Sequence, residues 1–211
     1  MKRLNNLVIA CDGESASGKS TAAKLISKKY RLLLINSGLL YRYASKLVMK
    51  ENPKDPIKFL KQKFKRITYK NITRYNLHSE QISNHVANLA KNKKIRIIVN
   101  NFQKRIIKSN NRICVEGRDI ASKVLSKKPK YDLAFYFKCN LTTASLRRWK
   151  DINKSIPLKE VKKSLQKRTM MDKKRKNSPL IKVKNAILIR TDRLSKKKVL
   201  SKMSKYIDRL N

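Results

Sequence analysis

Apolar residues in this chain gather in short continuous runs separated by longer amphipathic stretches. Leu7 to Cys11, Leu32 to Ile35, Ile113 to Val115, Leu133 to Phe137 and Ala186 to Ile189 are the runs, and their length and continuity mark strands buried on both faces. Between them the apolar spacing changes to three and four. It is clearest over 84–109, where Ile95, Ile98, Val99, Phe102 and Ile106 fall on one helix face. The same period predicts helices over 19–29, 39–50, 142–152, 158–174 and 195–210. Strands alternating with helices predict an α/β fold, a five-stranded parallel sheet flanked by helices. Such sheets bind ligands at the carboxyl ends of their strands. The stretch 53–83 breaks the rhythm: after Pro53 and Pro56, residues 65–69 and 73–77 read as a small antiparallel insert.

Composition narrows the class. A chain of 211 residues with 40% apolar content is long enough for one domain with a real core. The basic start, Met1-Lys2-Arg3, precedes an apolar run too short for a secretory signal and interrupted by Asp12. No run approaches the roughly 18 apolar residues of a membrane span. Cys11, Cys114 and Cys139 each sit in an apolar run without metal-like spacing, so they read as reduced core residues in a cytoplasmic protein. His78 and His85 show no catalytic or metal spacing either.

Charge adds a question. Fifty-five Lys and Arg against thirteen Asp and Glu give +42, spread along the whole chain. One reading is a polyanionic partner such as RNA. The other is composition, lysine serving as the default surface residue in a chain also rich in Ile and Asn. No compact basic tail stands out, which favours composition, with weak non-specific RNA binding at low salt as its consequence.

Glycine is scarce, and its four positions are informative: Gly13, Gly18, Gly38 and Gly117. Two belong to Gly13-Glu14-Ser15-Ala16-Ser17-Gly18-Lys19-Ser20-Thr21, which matches G-x-x-x-x-G-K-[ST] at every fixed position. The match follows a predicted strand and opens a predicted helix, as a phosphate-binding loop must. Its chemistry assigns Lys19 to the β- and γ-phosphates of ATP and the Ser20 hydroxyl to Mg²⁺. Asp12, just before the loop, is either a cap or a group near that metal.

Three further clusters follow strands. Asn36-Ser37-Gly38-Leu39-Leu40-Tyr41-Arg42 enters a helix at the end of the second run, with Arg42 able to meet a second anion. Glu116-Gly117-Arg118-Asp119 ends the third. It is either a structural ion pair or a place where Arg118 takes a phosphate and Asp119 a hydroxyl or base edge. Arg168, Asp172 and Arg175 stand at i, i+4 and i+7, predicting one helix face ahead of Pro179-Leu180. Arg147 and Arg148 follow the fourth strand, as a lid over phosphates or as surface charge. Lys173-Lys174 and Lys196 to Lys198 read as solvated faces.

Together, in this order, these motifs resemble the bacterial cytidylate kinases, a branch of the nucleoside monophosphate kinases, over about 7–195. Asp12-Gly13 through Thr21 matches that family's phosphate loop, and Asn36 through Arg42 its Asp-Ser-Gly-x-x-Tyr-Arg. Residues Glu116 to Ser122 match Asp-Gly-Arg-Asp-x-Gly-Thr. Arg168 to Arg175 match Arg-Asp-x-x-Asp-x-x-Arg, and Ile95-Arg96 with Gln103 echo a further signature. The resemblance implies a single P-loop kinase domain with a core of 1–52, 84–140 and 176–211. It also implies a nucleoside-monophosphate-binding insert at 53–83 and a mobile helical lid at 141–175. It implies transfer from ATP, with Mg²⁺, to CMP or dCMP; separately, no exposed apolar face stands out in the sequence, which points to a monomer. Ser37, Arg42, Arg96, Arg118, Asp119, Arg168, Asp172 and Arg175 would contact CMP, with Lys19, Arg118, Asp119 and Arg168 catalytic and Arg147 and Arg148 on the ATP side. The chain departs from the family at Asn36 and Glu116, where aspartates are usual, at Ala121, where glycine is, and at Arg190, where an Asp-Ser-Thr run begins. Open alternatives are a kinase of UMP, shikimate or dephospho-coenzyme A on the same fold, or a catalytically silent RNA-binding protein.

Overall fold

A computed structural model describes residues 5–77, 79–128 and 130–210; His78 lies outside them. The chain forms two compact units, Met1–Ile35 with Asn110–Asn211, and Asn36–Ser109.

The first unit is built on β1 (Leu7–Gly13), β2 (Leu33–Asn36), β3 (Arg112–Gly117), β4 (Leu133–Lys138) and β5 (Ile187–Arg190), in the order β2-β3-β1-β4-β5. Its helices are α1 (Lys19–Tyr30), α7 (Leu141–Asp151), α8 (Leu158–Lys174) and α9 (Lys196–Ile207), with a π-helical turn at Ile120–Val124. All five predicted strands form, and the sheet is the expected parallel one. Strand β1 holds the centre because its residues are apolar on both faces, and it pairs with β3 and β4 in register Asp12↔Gly117 and Asp12↔Tyr136. Ala22, Ala23 and Ile26 of α1 join Val199, Met203 and Ile207 of α9 against Phe135 and Phe137 in one apolar cluster. A second cluster unites α7 and α8 through Ala144, Val161 and Leu165. As expected, the three cysteines are buried and free, Cys11 and Cys114 lying with their sulfurs 3.8 Å apart on adjacent strands.

Gly13 closes β1 where no side chain fits: a Cβ there would stand 2.4 Å from the Phe137 carbonyl oxygen. Gly13→Ala must therefore push β4 away or bend the loop. It should lower the unfolding free energy by about 2–3 kcal/mol, read as a reduced urea midpoint.

The second unit contains α2 (Ser37–Glu51), α3 (Pro56–Arg66), α4 (Tyr69–Thr73), α5 (Glu80–Leu89) and α6 (Lys93–Lys108). Two expectations are corrected here. The antiparallel strands expected at 65–69 and 73–77 do not form: these residues are the ends of helices and the turns beside them, and 53–83 is built on α3 and α4. Asp55 caps α3 by accepting from Ile57 N and Lys58 N, Pro56 sits in its first turn, and Leu60 and Phe64 are buried one turn apart. Phe64 packs edge-on against Tyr43 and Phe102. Thr68 then caps α4, although β-branched and aromatic residues there suggest a strand. The single helix over 84–109 is two, because Asn92 caps a new start by accepting from Lys94 N and Ile95 N.

Candidate active site

The loop between β1 and α1 has the backbone its sequence requires. Gly18 takes φ 78° at the start of α1 and Ala16 takes φ 54°. Gly18 has no side chain to cap α1, and no acidic residue stands in the first turn, so the positive helix end is left for an anion. The loop is braced from within and from outside: the Ser17 hydroxyl donates to Glu14 O at 2.9 Å, and the Thr191 hydroxyl donates to Ser17 O at 2.9 Å. Thr191 lies in the run that departs from the family pattern at Arg190, so the sequence marks the place but not this contact.

Lys19 is buried and donates to Glu116 Oε2 at 2.8 Å, and the Ser20 hydroxyl donates to the same oxygen at 2.8 Å. Burial alone would raise the Glu116 carboxyl, but Lys19, Ser20 and Arg118 outweigh it and hold it below the usual range. Glu116, which the sequence marked only as standing where an aspartate is usual, is thus joined to both Lys19 and Ser20. A hydroxyl beside a strand-end carboxylate fits Mg²⁺, which takes one or two protein groups and completes its shell with water and phosphate. Among the described residues no cluster of three or more His, Cys, Asp or Glu offers an all-protein metal cage.

Arg118 is a hub. It donates from Nε to Asp172 Oδ2 at 2.9 Å, from Nη2 to the Ser15 hydroxyl at 3.2 Å and from Nη1 to Gly117 O at 3.2 Å. Asp172 also accepts from Arg175 Nη1 at 3.2 Å, and Arg175 Nη2 lies 3.7 Å from Asp119 Oδ1. The expectation of one helix face is corrected: α8 ends at Lys174, and Arg175 is extended at φ −63°, ψ 135°, folding back onto Asp172. Leu180 N donates to Asp172 O, and Arg175 Nε to Ser178 O, so the turn after α8 sets Arg175 in place. Lys173 is exposed, as expected, and also pairs with Glu14 at 2.7 Å.

Asp12 is a cap, as one of its two readings held. Its Oδ1 accepts from Ile120 N and its Oδ2 from Ala121 N, each at 2.8 Å. Burial pushes its carboxyl from 3.8 up to about 6; the two N–H groups and Lys19 pull against that, while Asp119 adds to it. The folded chain therefore keeps this proton over a pH range where the unfolded chain has lost it. Asp12's contribution to stability is complete below pH about 4 and lost as pH rises to about 6, a change of about 3 kcal/mol. Urea unfolding of Asp12→Asn should accordingly gain about 3 kcal/mol on wild type between pH 4 and pH 7. The comparison cancels the opposite contribution of Glu116.

Arg147 lies over the loop. It donates to the Thr191 hydroxyl at 3.0 Å and carbonyl at 2.7 Å, and its Nη1 is 3.8 Å from where a Gly18 Cβ would stand. Arg148 and Arg168 are half-buried on α7 and α8. Thr21 and Ser20 are in the first turn of α1. The first unit thus brings Gly13 to Thr21 together with Glu116, Arg118, Asp119, Asp172 and Arg175.

The second unit carries Ser37, Arg42 and Arg96. Ser37 is buried at the start of α2, which Asn36 caps by accepting from Leu39 N at 3.0 Å, a task either Asn or Asp performs. Arg42 donates to Leu77 O at 3.1 Å and to the Ser83 hydroxyl at 2.8 Å. Arg96 is buried, donates to Ala90 O at 3.2 Å and stacks 5.3 Å over the Tyr41 ring.

A sequence profile described as cytidylate kinase matches residues 9–209. The chain belongs to the cytidylate kinase family. It is accordingly an enzyme of the nucleoside monophosphate kinase class. The chain is 29% identical to a cytidylate kinase of Fusobacterium nucleatum, with 98% of this chain and all of that one aligned. It is 30% identical to a cytidylate kinase of Mesomycoplasma hyopneumoniae, over 99% of this chain and 95% of the relative. A bifunctional pantoate ligase/cytidylate kinase of Prochlorococcus marinus is 32% identical over 93% of this chain, which spans only 42% of that relative's length. Among solved structures, an uncharacterised protein from Eubacterium ventriosum superposes with TM-score 0.58 at 17% identity over 96% of this chain and 98% of that one. A shikimate kinase of Bacteroides thetaiotaomicron reaches 0.50 at 9% identity over 96% and 98%, a likeness of fold alone. Among the described residues no helix is long and apolar enough to cross a membrane.

Proposed function

We propose that this chain transfers the γ-phosphoryl group of ATP to CMP or dCMP, giving ADP and the corresponding diphosphate. The observation that carries the reading is the joining of two sets of charges in the first unit. Lys19 and Ser20 of the phosphate loop meet Glu116 at the end of β3, and Arg118 runs from the loop's Ser15 to Asp172. The loop is a donor site, and the Arg118–Asp172–Arg175–Asp119 network is an acceptor site that reaches it through one guanidinium.

The chemistry needs no covalent intermediate. An oxygen of the acceptor phosphate attacks the γ-phosphorus in line, and the bond to the β-γ bridging oxygen breaks with ADP leaving. Lys19, released from Glu116, neutralises the β- and γ-oxygens while backbone N–H groups of the loop hold them. Ser20 and Glu116 would hold Mg²⁺, which supplies further charge neutralisation when bound. Arg118 and Arg168 take acceptor phosphate oxygens, and Asp172 keeps Arg118 in its orientation. Arg147, with Arg148, serves the ATP side. On the second unit, Ser37, Arg42 and Arg96 are acceptor contacts by family resemblance. The functional division into a core, an insert at 53–83 and a lid at 141–175 belongs to the same reading, as do a monomeric state, a cytoplasmic setting and weak RNA binding at low salt.

Product analysis tests the assignment. With ATP labelled on the γ-phosphate, label should move into CDP or dCDP when the matching monophosphate is supplied. Label passing instead to UMP, shikimate or dephospho-coenzyme A would reassign the acceptor.

A further inference from the structure

Asp12 and the turn that follows Asp119 form a device that the phosphate loop itself does not need. The side chain of Asp12 is 3% exposed, and its two oxygens are spent on two consecutive backbone donors, Ile120 N and Ala121 N, each at 2.8 Å. These donors open the π-helical turn Ile120–Val124, directly after Arg118 and Asp119. The turn satisfies its later groups internally, with Lys123 N and Val124 N donating to Asp119 O and Leu125 N to Ile120 O. Its first N–H groups have no such partner, as at the start of any helix. Asp119 itself has no side-chain cap bond to the turn and faces Arg175 instead. Capping therefore comes from another strand, β1, one residue before the loop begins. Two bonds to two adjacent peptides fix the direction of that backbone as well as its position.

The arrangement carries an electrostatic cost. Asp12 is buried beside Asp119, and burial lifts its carboxyl toward neutrality. An asparagine would avoid that cost, but it accepts through one atom and would aim its amide N–H₂ at the other backbone donor. A carboxylate is the side chain of this length that accepts from both.

We infer that Asp12 is a positioning residue for the acceptor: it ties the Arg118–Asp119 turn to the root of the donor loop and so sets where the acceptor phosphate is held. It touches neither nucleotide. The inference rests on the acceptor roles given above to Arg118 and Asp119.

The test is steady-state kinetics of Asp12→Asn with CMP and ATP varied in turn. KM for CMP should rise about tenfold or more while KM for ATP stays within about twofold, a split that general loosening of the fold would not produce. A folded Asp12→Asn with KM for CMP within about twofold of wild type overturns the inference. Should the variant fail to fold, the wild-type amide protons of Ile120 and Ala121 decide, followed by NMR without nucleotide. They should lie downfield and exchange slowly with solvent, as donors to a buried carboxylate do. The charged and titratable groups facing Asp12 are Asp119 after β3, Lys19 on α1, Tyr136 on β4 and Cys11 on its own strand. Amides at Ile120 and Ala121 that exchange as fast as those of an unprotected peptide overturn it equally. A wild type with no CMP-dependent turnover would instead remove the acceptor reading, and this inference with it, which is a distinct result from an active wild type with an indifferent variant.

Discussion

Lys19→Ala should lower kcat by about a hundredfold to a thousandfold, the size expected when one preorganised donor to developing charge is removed. The substitution acts on two levels. On the chemical level it takes away the ammonium that would meet the β- and γ-oxygens. On the structural level it strands a carboxylate, because Lys19 is paired with Glu116 at 2.8 Å and both side chains are buried. Breaking one partner of such a pair costs about 3–5 kcal/mol when the remaining charge stays dry. The Ser20 hydroxyl still donates to Glu116, and a small side chain at position 19 admits water, so the lower end of that range is expected. Adding Glu116→Gln should restore most of the lost stability and none of the rate. A kcat for Lys19→Ala within about threefold of wild type would make the loop assignment wrong.

Arg118→Lys should lower kcat/KM for CMP by about a hundredfold, with KM for ATP little changed. The substitution keeps the charge, so its effect isolates geometry. The guanidinium spans three acceptors at once: Asp172, the Ser15 hydroxyl and Gly117 O. An ammonium on a shorter, single-point head cannot hold Asp172 and Ser15 together, and each charge-assisted bond lost is worth about 1.5–3 kcal/mol. Asp172 would then turn wholly to Arg175, its other partner at 3.2 Å. Measuring kcat and both KM values checks the split. An equal loss toward ATP and CMP would place Arg118 in the donor site alone.

The sheet was legible because its strands are continuous apolar runs that no helix face could use, and because the first of them ends in an unmistakable glycine pattern. Helix starts in the second unit were harder. Residues 65–69 combine β-branched and aromatic side chains, yet Asp55 and Thr68 are caps, and Leu60 and Phe64 face a common interior with Phe102. Local propensity lost there to capping and tertiary contact. The break at Asn92 falls in the polar run Lys91-Asn92-Lys93-Lys94, which one continuous helix could equally turn to solvent.

In the site, residue types were readable and partners were not. Arg168, Asp172 and Arg175 were recognisable by spacing, but the end of α8 at Lys174 places Arg175 off the helix, where it reaches both Asp172 and Asp119. Lys173 looks like one more surface lysine in a chain of charge +42, and only the fold shows it on Glu14. Thr191 and Glu116 act through contacts across 174 and 97 residues, separations that no local pattern records.

The central claim is that the donor loop and the Arg118 network are two halves of one phosphoryl-transfer site for a cytidine monophosphate. The most direct test is a coupled assay of ADP release by the purified chain with ATP, magnesium and a panel of nucleoside monophosphates. ADP release that depends on CMP or dCMP, and exceeds that with the other monophosphates in kcat/KM by about tenfold or more, is the predicted result. Release that is the same with and without CMP, or that follows another acceptor, would contradict it.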